Sequence, residues 1–363
     1  MLMRGCIRLF LFYDVGEAFD LDKLRNLLGP RGGSRKPEFP RRTPEYVRFE
    51  NSPIAEPSEP FTLRSGENVV SSIKYYEYAI VEVQLEIPFE GDWDALLAKV
   101  SRWMDAPDIE PEGRAVVAKH LQFIAPAVIK PREEWLHETY LVADMHEIRQ
   151  QQGAPLTADQ LLSFHGGQIA QLLRGEQTPL APATAERLLQ GSISYYPTDL
   201  LVAGSSAAFV YDRPGEAVWT IQVLEYAKMQ LLEFRYYDNF MTRVLSDVYN
   251  TLDHKKNVLL SRWSIPREAN RLNTIRLDVM ELTERIDNAI KFVSDTFYAL
   301  VYRLAASRVG VPEYRDLVEQ KLDTARELYD FMVSQFNETR LFILEAAITV
   351  LCLLDVLLLL RGR

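Results

Sequence analysis

Two cysteines, Cys6 and Cys352, are all that this chain of 363 residues contains. They are too few and too far apart in sequence for a disulfide framework or a zinc site, which fits a reducing compartment. Nucleotide and nucleophile signatures are missing too. There is no GxxxxGKS or GxxxxGKT, no GxGxxG behind a strand, no GxSxG, no HExxH and no CxxC. The five histidines, His120, His137, His146, His165 and His254, lack the i,i+4 or paired spacing of metal ligands. The sequence therefore names no catalytic residue, no metal and no cofactor. Positive charge is also short, since 41 Lys and Arg stand against 51 Asp and Glu, a net −10. That balance excludes a protein whose whole surface grips nucleic acid. With 47% apolar and 25% charged residues, the chain buries a core, and disorder, collagen and a multi-span membrane protein are excluded.

What is present divides in two. The opening MLMRGCIRLFLFYDVG has a short apolar run and no small-residue cleavage site, so Ile7 to Tyr13 reads as a first strand and not as a signal peptide. An amphipathic helix follows at Leu21 to Leu28. Strand character returns at Tyr46 to Phe49 and across Val69 to Phe89, the latter as one long strand or a hairpin. Helices are expected at Trp93 to Met104, with Asp92 as N-cap, and at Pro111 to Ile124. A strand at Thr139 to Met145 precedes a helix from Thr157, where Thr157-x-x-Gln160 has the form of a capping box. His165-Gly166-Gly167 marks a kink or a close helix contact in it. Short strands at Asp199 to Ala203 and Ala207 to Tyr211 complete an α+β domain over 1–213, with a possible duplication near 130.

After Pro214 the period becomes helical. Leu231, Phe234, Met241, Leu245, Val248 and Leu252 keep an a/d heptad that only Asp238 interrupts. A second seam runs from Leu272 to Leu300, and a third holds Leu322, Ala325, Tyr329, Met332, Phe336, Ile343 and Ala346. Breaks fall at Pro266 and at Gly310-Val311-Pro312. Residues 214–340 are thus expected to form long antiparallel coiled-coil helices. In Leu232 to Asp238 the charges Glu233, Arg235 and Asp238 form a polar motif. A charge on the seam needs a partner to fix register, and Arg285 or Lys291 is the expected one.

Two local exceptions point to function. From Arg25 to Arg48 seven basic residues face Glu38 and Glu45, a net +5, in a segment broken by Pro30, Pro37, Pro40 and Pro44. Arg31, Arg35, Lys36, Arg41 and Arg42 on such a loop are expected to reach an RNA backbone, a ribosome or anionic headgroups; an ordinary solvated loop is the alternative. The second exception is Leu341 to Leu360, where only Glu345, Thr349 and Asp355 are not apolar. Twenty helical residues span about 30 Å, a bilayer's hydrocarbon thickness. The apolar residues contribute about −4 to −8 kcal/mol to insertion and two central acids cost about +5 to +7. The balance leaves a transmembrane helix at 341–360 as the expectation and a buried core helix as the alternative. Glu345, Thr349, Cys352 and Asp355 fall on one stripe, which wants protein or water beside it and so implies self-association of tails or a membrane partner.

The runs LEYAKMQLLEFRYYD (Leu224 to Asp238) and RLNTIRLDVMELTERID (Arg271 to Asp287) resemble the required-for-meiotic-nuclear-division family, a former domain of unknown function. So does Leu344-Glu345 followed ten residues on by Asp355-Val356, although Ala346 stands where that family has Trp. The resemblance covers about Asp199 to Leu360. It implies one C-terminal membrane anchor with the soluble body on the cytoplasmic or matrix side, helical self-assembly and no assigned catalytic residues. The absence of an Arg- and Ser-rich transit peptide points to a bacterial member. The resulting expectation is a single-pass, tail-anchored homo-oligomeric scaffold that presents an α+β domain at the cytoplasmic membrane face. Its rivals are a translation-linked RNA or ribosome tether through the basic loop, and an enzyme with a pocket in the α+β domain.

Overall fold

The computed structural model describes residues 2–33, 53–62, 68–149, 156–253, 274, 277, 280 and 296–361. Two compact units emerge. The first comprises Met1–Phe234 with Asp287–Pro312, and the second Arg235–Ile286 with Glu313–Arg363.

The first unit is built on a nine-stranded sheet whose central member, β1 (Leu2–Asp14), is antiparallel to a neighbour on each side. In chain order β2 (Ala18–Phe19), α1 (Leu21–Leu28), β3 (Ile54–Pro57), β4 (Phe61–Thr62), β5 (Asn68–Tyr76) and β6 (Ile80–Gly91) follow. Next come α2 (Trp93–Met104), α3 (Ile109–Ile124), β7 (Val128–Ile129), β8 (His137–Arg149), α4 (Ala158–Arg174) and α5 (Pro182–Leu189). β9 (Ser192–Ile193), β10 (Leu200–Ala203), β11 (Ala207–Tyr211), α6 (Val218–Asp253), α7 (Thr296–Val309) and α8 (Val311–Arg361) complete the described elements. The sheet order is β3-β5-β6-β1-β8-β11-β10-β9, with β4 paired to β5 and a separate small pair β2-β7. β11 joins β8 in parallel after the crossover through α4 and α5. The stretch Val69 to Phe89 is a hairpin, not one strand.

Alternate residues of the strands serve two layers. Ile7, Leu9, Leu11 and Tyr13 of β1, with Val81, Val83 and Leu85 of β6 and Leu141 and Ala143 of β8, face Leu96, Val100, Val117, Leu161 and Leu172 of the helices. Each such side chain contributes about 1.5–3 kcal/mol when fully buried. Phe10 and Phe12, on the other face of β1, are buried as well, as expected of a strand covered on both sides.

The helices start where their caps are. Asp92 accepts from the Ala95 amide at 2.9 Å. Thr157 and Gln160 form both arms of the capping box. α4 runs unbroken through His165-Gly166-Gly167, and Gly166 marks a close approach: a Cβ there would lie 2.8 Å from Leu189 Cδ1 of α5. β1 carries a bulge at Arg4/Gly5 against β8. Gly5 is needed there, because a Cβ would sit 2.2 Å from the Asp144 carbonyl oxygen.

In the second unit Asp238 lies against Lys321, whose Nζ is 2.5 Å from Oδ1, 3.1 Å from the Asp238 carbonyl oxygen and 2.6 Å from Thr242 Oγ1. The charge that interrupts the first seam is therefore paired with α8; Arg285 and Lys291 lie outside the described residues.

The expected transmembrane helix at 341–360 is overturned, and with it the tail anchor, the single-pass topology and the membrane localisation. Among the described residues no helix is long and apolar enough to cross a membrane. The apolar stretch is the last part of a continuous 51-residue helix, α8, with no break before it. The reason lies in the two acids, whose insertion cost of about +5 to +7 kcal/mol offsets most of what the aliphatic residues contribute.

Candidate functional site

The first turns of α6, up to Phe234, pack on the sheet face opposite α2–α4. Leu224, Ala227, Leu231 and Phe234 are buried there at helical spacing, and so are two charges, Glu225 and Lys228. A charge taken out of water costs several kcal/mol unless it is paired. Both are paired. Lys74 Nζ of β5 donates to Glu225 at 2.7 and 2.8 Å and lies 3.0 Å from Glu82 Oε1, its register partner on β6. The Tyr76 hydroxyl is 2.6 Å from Glu82 Oε2 and 3.1 Å from Glu225 Oε2. Phe12 of β1, the register partner of both Glu82 and Glu138, separates this group from a second pair, in which Lys228 Nζ reaches Glu138 Oε2 at 2.5 Å. Lys228 also stands 5.6 Å from the Tyr140 ring centroid. One row across β5-β6-β1-β8 thus presents plus, minus, apolar, minus, and α6 brings minus and plus three residues apart.

Burial and the Glu225 carboxylate push Glu82 up to about 7, against the pull of Lys74 and the Tyr76 hydrogen bond. Burial works against the charge on Lys74, yet Glu225 and Glu82 more than offset it and hold the ammonium above its usual value. Burial, followed by the two carboxylates, raises the Tyr76 phenol well above its usual value. Burial lowers Lys228 to about 8, while the adjoining Glu138 carboxylate favours its charged form.

Further along the same face Arg8 donates to Asp144 Oδ2 from Nε at 3.3 Å and Nη2 at 3.2 Å and pairs with Glu86. Burial raises the Asp144 carboxyl and Arg8 opposes the rise. On the opposite face Glu56, Tyr75 and His120 knot β3, β5 and α3 together, with the Tyr75 hydroxyl 2.5 Å and His120 Nδ1 2.9 Å from the same Glu56 oxygen. Among the described residues no group of three or more His, Cys, Asp or Glu side chains could hold a metal ion. The chemistry on offer is the binding of protons by interior acids and bases, and the sorting of α6 by charge.

The residues singled out in the sequence fall elsewhere. Glu233 is buried on α6 in the first unit; Arg235 and Asp238 belong to the second unit, where Asp238 meets Lys321. Glu345, Thr349 and Cys352 are exposed on α8, and the Thr349 hydroxyl donates to the Glu345 carbonyl at 2.8 Å. The side chain of Asp355 lies outside the described residues, as do the side chain of Arg31 and all of Arg35, Lys36, Arg41 and Arg42. Sequence reading missed Glu225 and Lys228, although they stand inside the quoted LEYAK run. Two charges three apart on the same stripe as Leu224, Ala227 and Leu231 were the available signal.

The model of a protein family described as "Uncharacterized protein MJ0711, N-terminal domain" matches residues 4–217. Uncharacterized protein MJ0711 of Methanocaldococcus jannaschii is 21% identical over 190 residues, which are 52% of this chain and 58% of that protein. The chain therefore spans less than two thirds of that relative's length. No solved structure matches. The matched residues hold Lys74, Tyr76, Glu82 and Glu138 and stop one residue before α6, so the sheet side of the charge row lies within the match and the helix side beyond it. With well over half of its length under that model, this chain belongs to the MJ0711 N-terminal domain family.

Proposed function

We propose that the protein is a homo-oligomeric scaffold in which α8 joins copies of the chain and the α+β unit is the part presented. One observation carries this reading. Ten large apolar side chains between Leu341 and Leu357 are 51–68% exposed on α8, a patch too large for a helix that stays alone in water. At roughly 60–120 Å² of apolar surface per side chain, they offer about 600–1,200 Å² per chain, the size of one side of a stable interface. A second copy is the favoured occupant because the heptad seam continues through Val350, Leu353 and Leu357, all exposed, and so repeats on any identical helix. The sequence resemblance of Leu224 to Asp238 and Arg271 to Asp287 to the required-for-meiotic-nuclear-division family supports self-assembly.

Sedimentation equilibrium of the full chain tests the proposal. A dimer or larger species at micromolar concentration is expected, and Val350→Glu with Leu353→Glu should convert it to monomer with its melting curve otherwise retained. A native chain that is monomeric, or a doubly substituted chain that still assembles, would overturn it.

A further inference from the structure

We propose that the Glu82 and Glu225 carboxylates share one bound proton, and that this proton latches the first turns of α6 onto the sheet.

Tyr76 has a single hydroxyl proton, yet its oxygen lies 2.6 Å from Glu82 Oε2 and 3.1 Å from Glu225 Oε2. It can donate to only one of them. With both acids ionised, the other contact brings two acceptors together with no hydrogen between them. A carboxyl proton supplies the missing hydrogen, with the Tyr76 oxygen accepting from one acid and its hydroxyl donating to the other. Charge balance points the same way. Lys74 gives two of its three ammonium hydrogens to Glu225 and has the third for Glu82 Oε1, 3.0 Å away. The two carboxylates thus share one cation, and a second ionised carboxylate in the interior is costly where a neutral carboxyl is far less so.

Among the described residues, Lys74 is the one ammonium paired with these two acids. β5 contributes Lys74 and Tyr76, β1 contributes the uncharged Phe12, and α6 contributes Glu225 and Tyr226. Tyr78, between β5 and β6, acts on Tyr226. Lys228 is engaged with Glu138 on the far side of Phe12. One ammonium therefore faces two carboxylates, and a single proton brings the group to neutrality. Glu82 and Lys74 belong to the sheet and Glu225 to the helix, so losing the proton sets like charges against each other across the junction that holds α6 down.

Direction and size follow from the Glu82 carboxyl, raised from 4.5 to about 7 by burial and Glu225. A raised folded-state value means that the stabilisation is complete below about 4.5 and is lost as pH rises through about 7. If undocking exposes Glu82 to water, the helix opens about tenfold more often at pH 8.5 than at pH 6.

Hydrogen exchange of the full chain, corrected for intrinsic rates, reads this directly in the amides of 218–234. The wild type should show the tenfold rise between pH 6 and 8.5. Glu82→Gln, whose amide replaces the neutral carboxyl, should abolish it. Glu225→Gln is the second variant, should the first not fold, and is expected to behave alike. The infrared difference between wild type and Glu82→Gln at pH 6 should contain one protonated-carboxyl carbonyl band that fades by pH 8.5. Equal opening of the wild-type helix at the two pH values overturns the latch. A tenfold rise that survives in both variants, or a difference spectrum with no protonated carboxyl, overturns the shared proton.

Discussion

Replacing Lys228 by Met keeps the aliphatic stem and removes the ammonium that pairs with the Glu138 carboxylate. Both side chains are nearly out of water, at 3% and 12% exposure, so this pair belongs to the buried class, in which removing one partner costs about 3–5 kcal/mol. For a unit of this size that corresponds to a melting shift of about 6–20 °C. The contact of the ammonium with the Tyr140 ring adds to the loss. Glu138→Gln leaves the opposite remainder, a buried ammonium. Lys228 already sits lowered to about 8 by burial and can shed its proton, so this variant should recover stability between pH 8 and 10, whereas Lys228→Met should not. The double variant removes both charges and should return to within about 1 kcal/mol of wild type, because a neutral pair of similar volume replaces a buried ion pair at little cost. Urea titration followed by tryptophan fluorescence is the assay, since Trp93, Trp103, Trp135 and Trp219 lie in the first unit. Single variants that each cost under about 1 kcal/mol and simply add in the double would show that the charge row does not hold α6.

Two further outcomes are expected. Gly5→Ala should lower stability by about 3 kcal/mol or more, because its Cβ would meet backbone atoms of Asp144 and Met145 at 2.2 and 2.7 Å; Gly167→Ala, with open space around it, should raise stability by about 0.5–1 kcal/mol in the same thermal melts. Asp14, raised to about 7 by burial against the pull of Arg132 and the Gly16 backbone, contributes stability that is complete below about pH 4 and is lost as pH rises through 7. Asp14→Asn should flatten that part of the stability profile in urea titrations at successive pH values, and an unchanged slope would show that Asp14 does not hold its proton.

Local chemistry made much of the fold legible. α1 and α2 begin at Leu21 and Trp93 as the sequence implies, because Asp20 and Asp92 accept from backbone amides at their starts. The apolar run around Leu9 to Tyr13 marked β1 as a strand, while the burial of Phe10 and Phe12 on its second face depends on a helix that lies far along the chain. The turn between β5 and β6 was not legible, since it carries neither Gly nor Pro and bends instead at Ala79, with φ +53°. The charge row was hidden for another reason. Lys74 and Glu225 are 151 residues apart and Glu138 and Lys228 are 90 apart, and no periodicity within one segment reveals what a distant segment will place opposite it. The end of α8 misled through its length, which matches a bilayer: the two acids nearly balance the aliphatic residues, and length was given the deciding weight.

The central position of β1 has a consequence for synthesis. The ribosome makes this strand before any other element of the unit, yet its neighbours are β6 and β8, and its second face waits for α6. At about 5–20 residues per second, roughly 10–40 s separate the emergence of Phe12 from that of Glu225. Both edges of this thirteen-residue strand stay unpaired until β6 is made, and the face that carries Phe10 and Phe12 stays uncovered for the whole interval. Slowed elongation before α6 should therefore send more of the product to holding chaperones or into aggregates than the same pause placed after it.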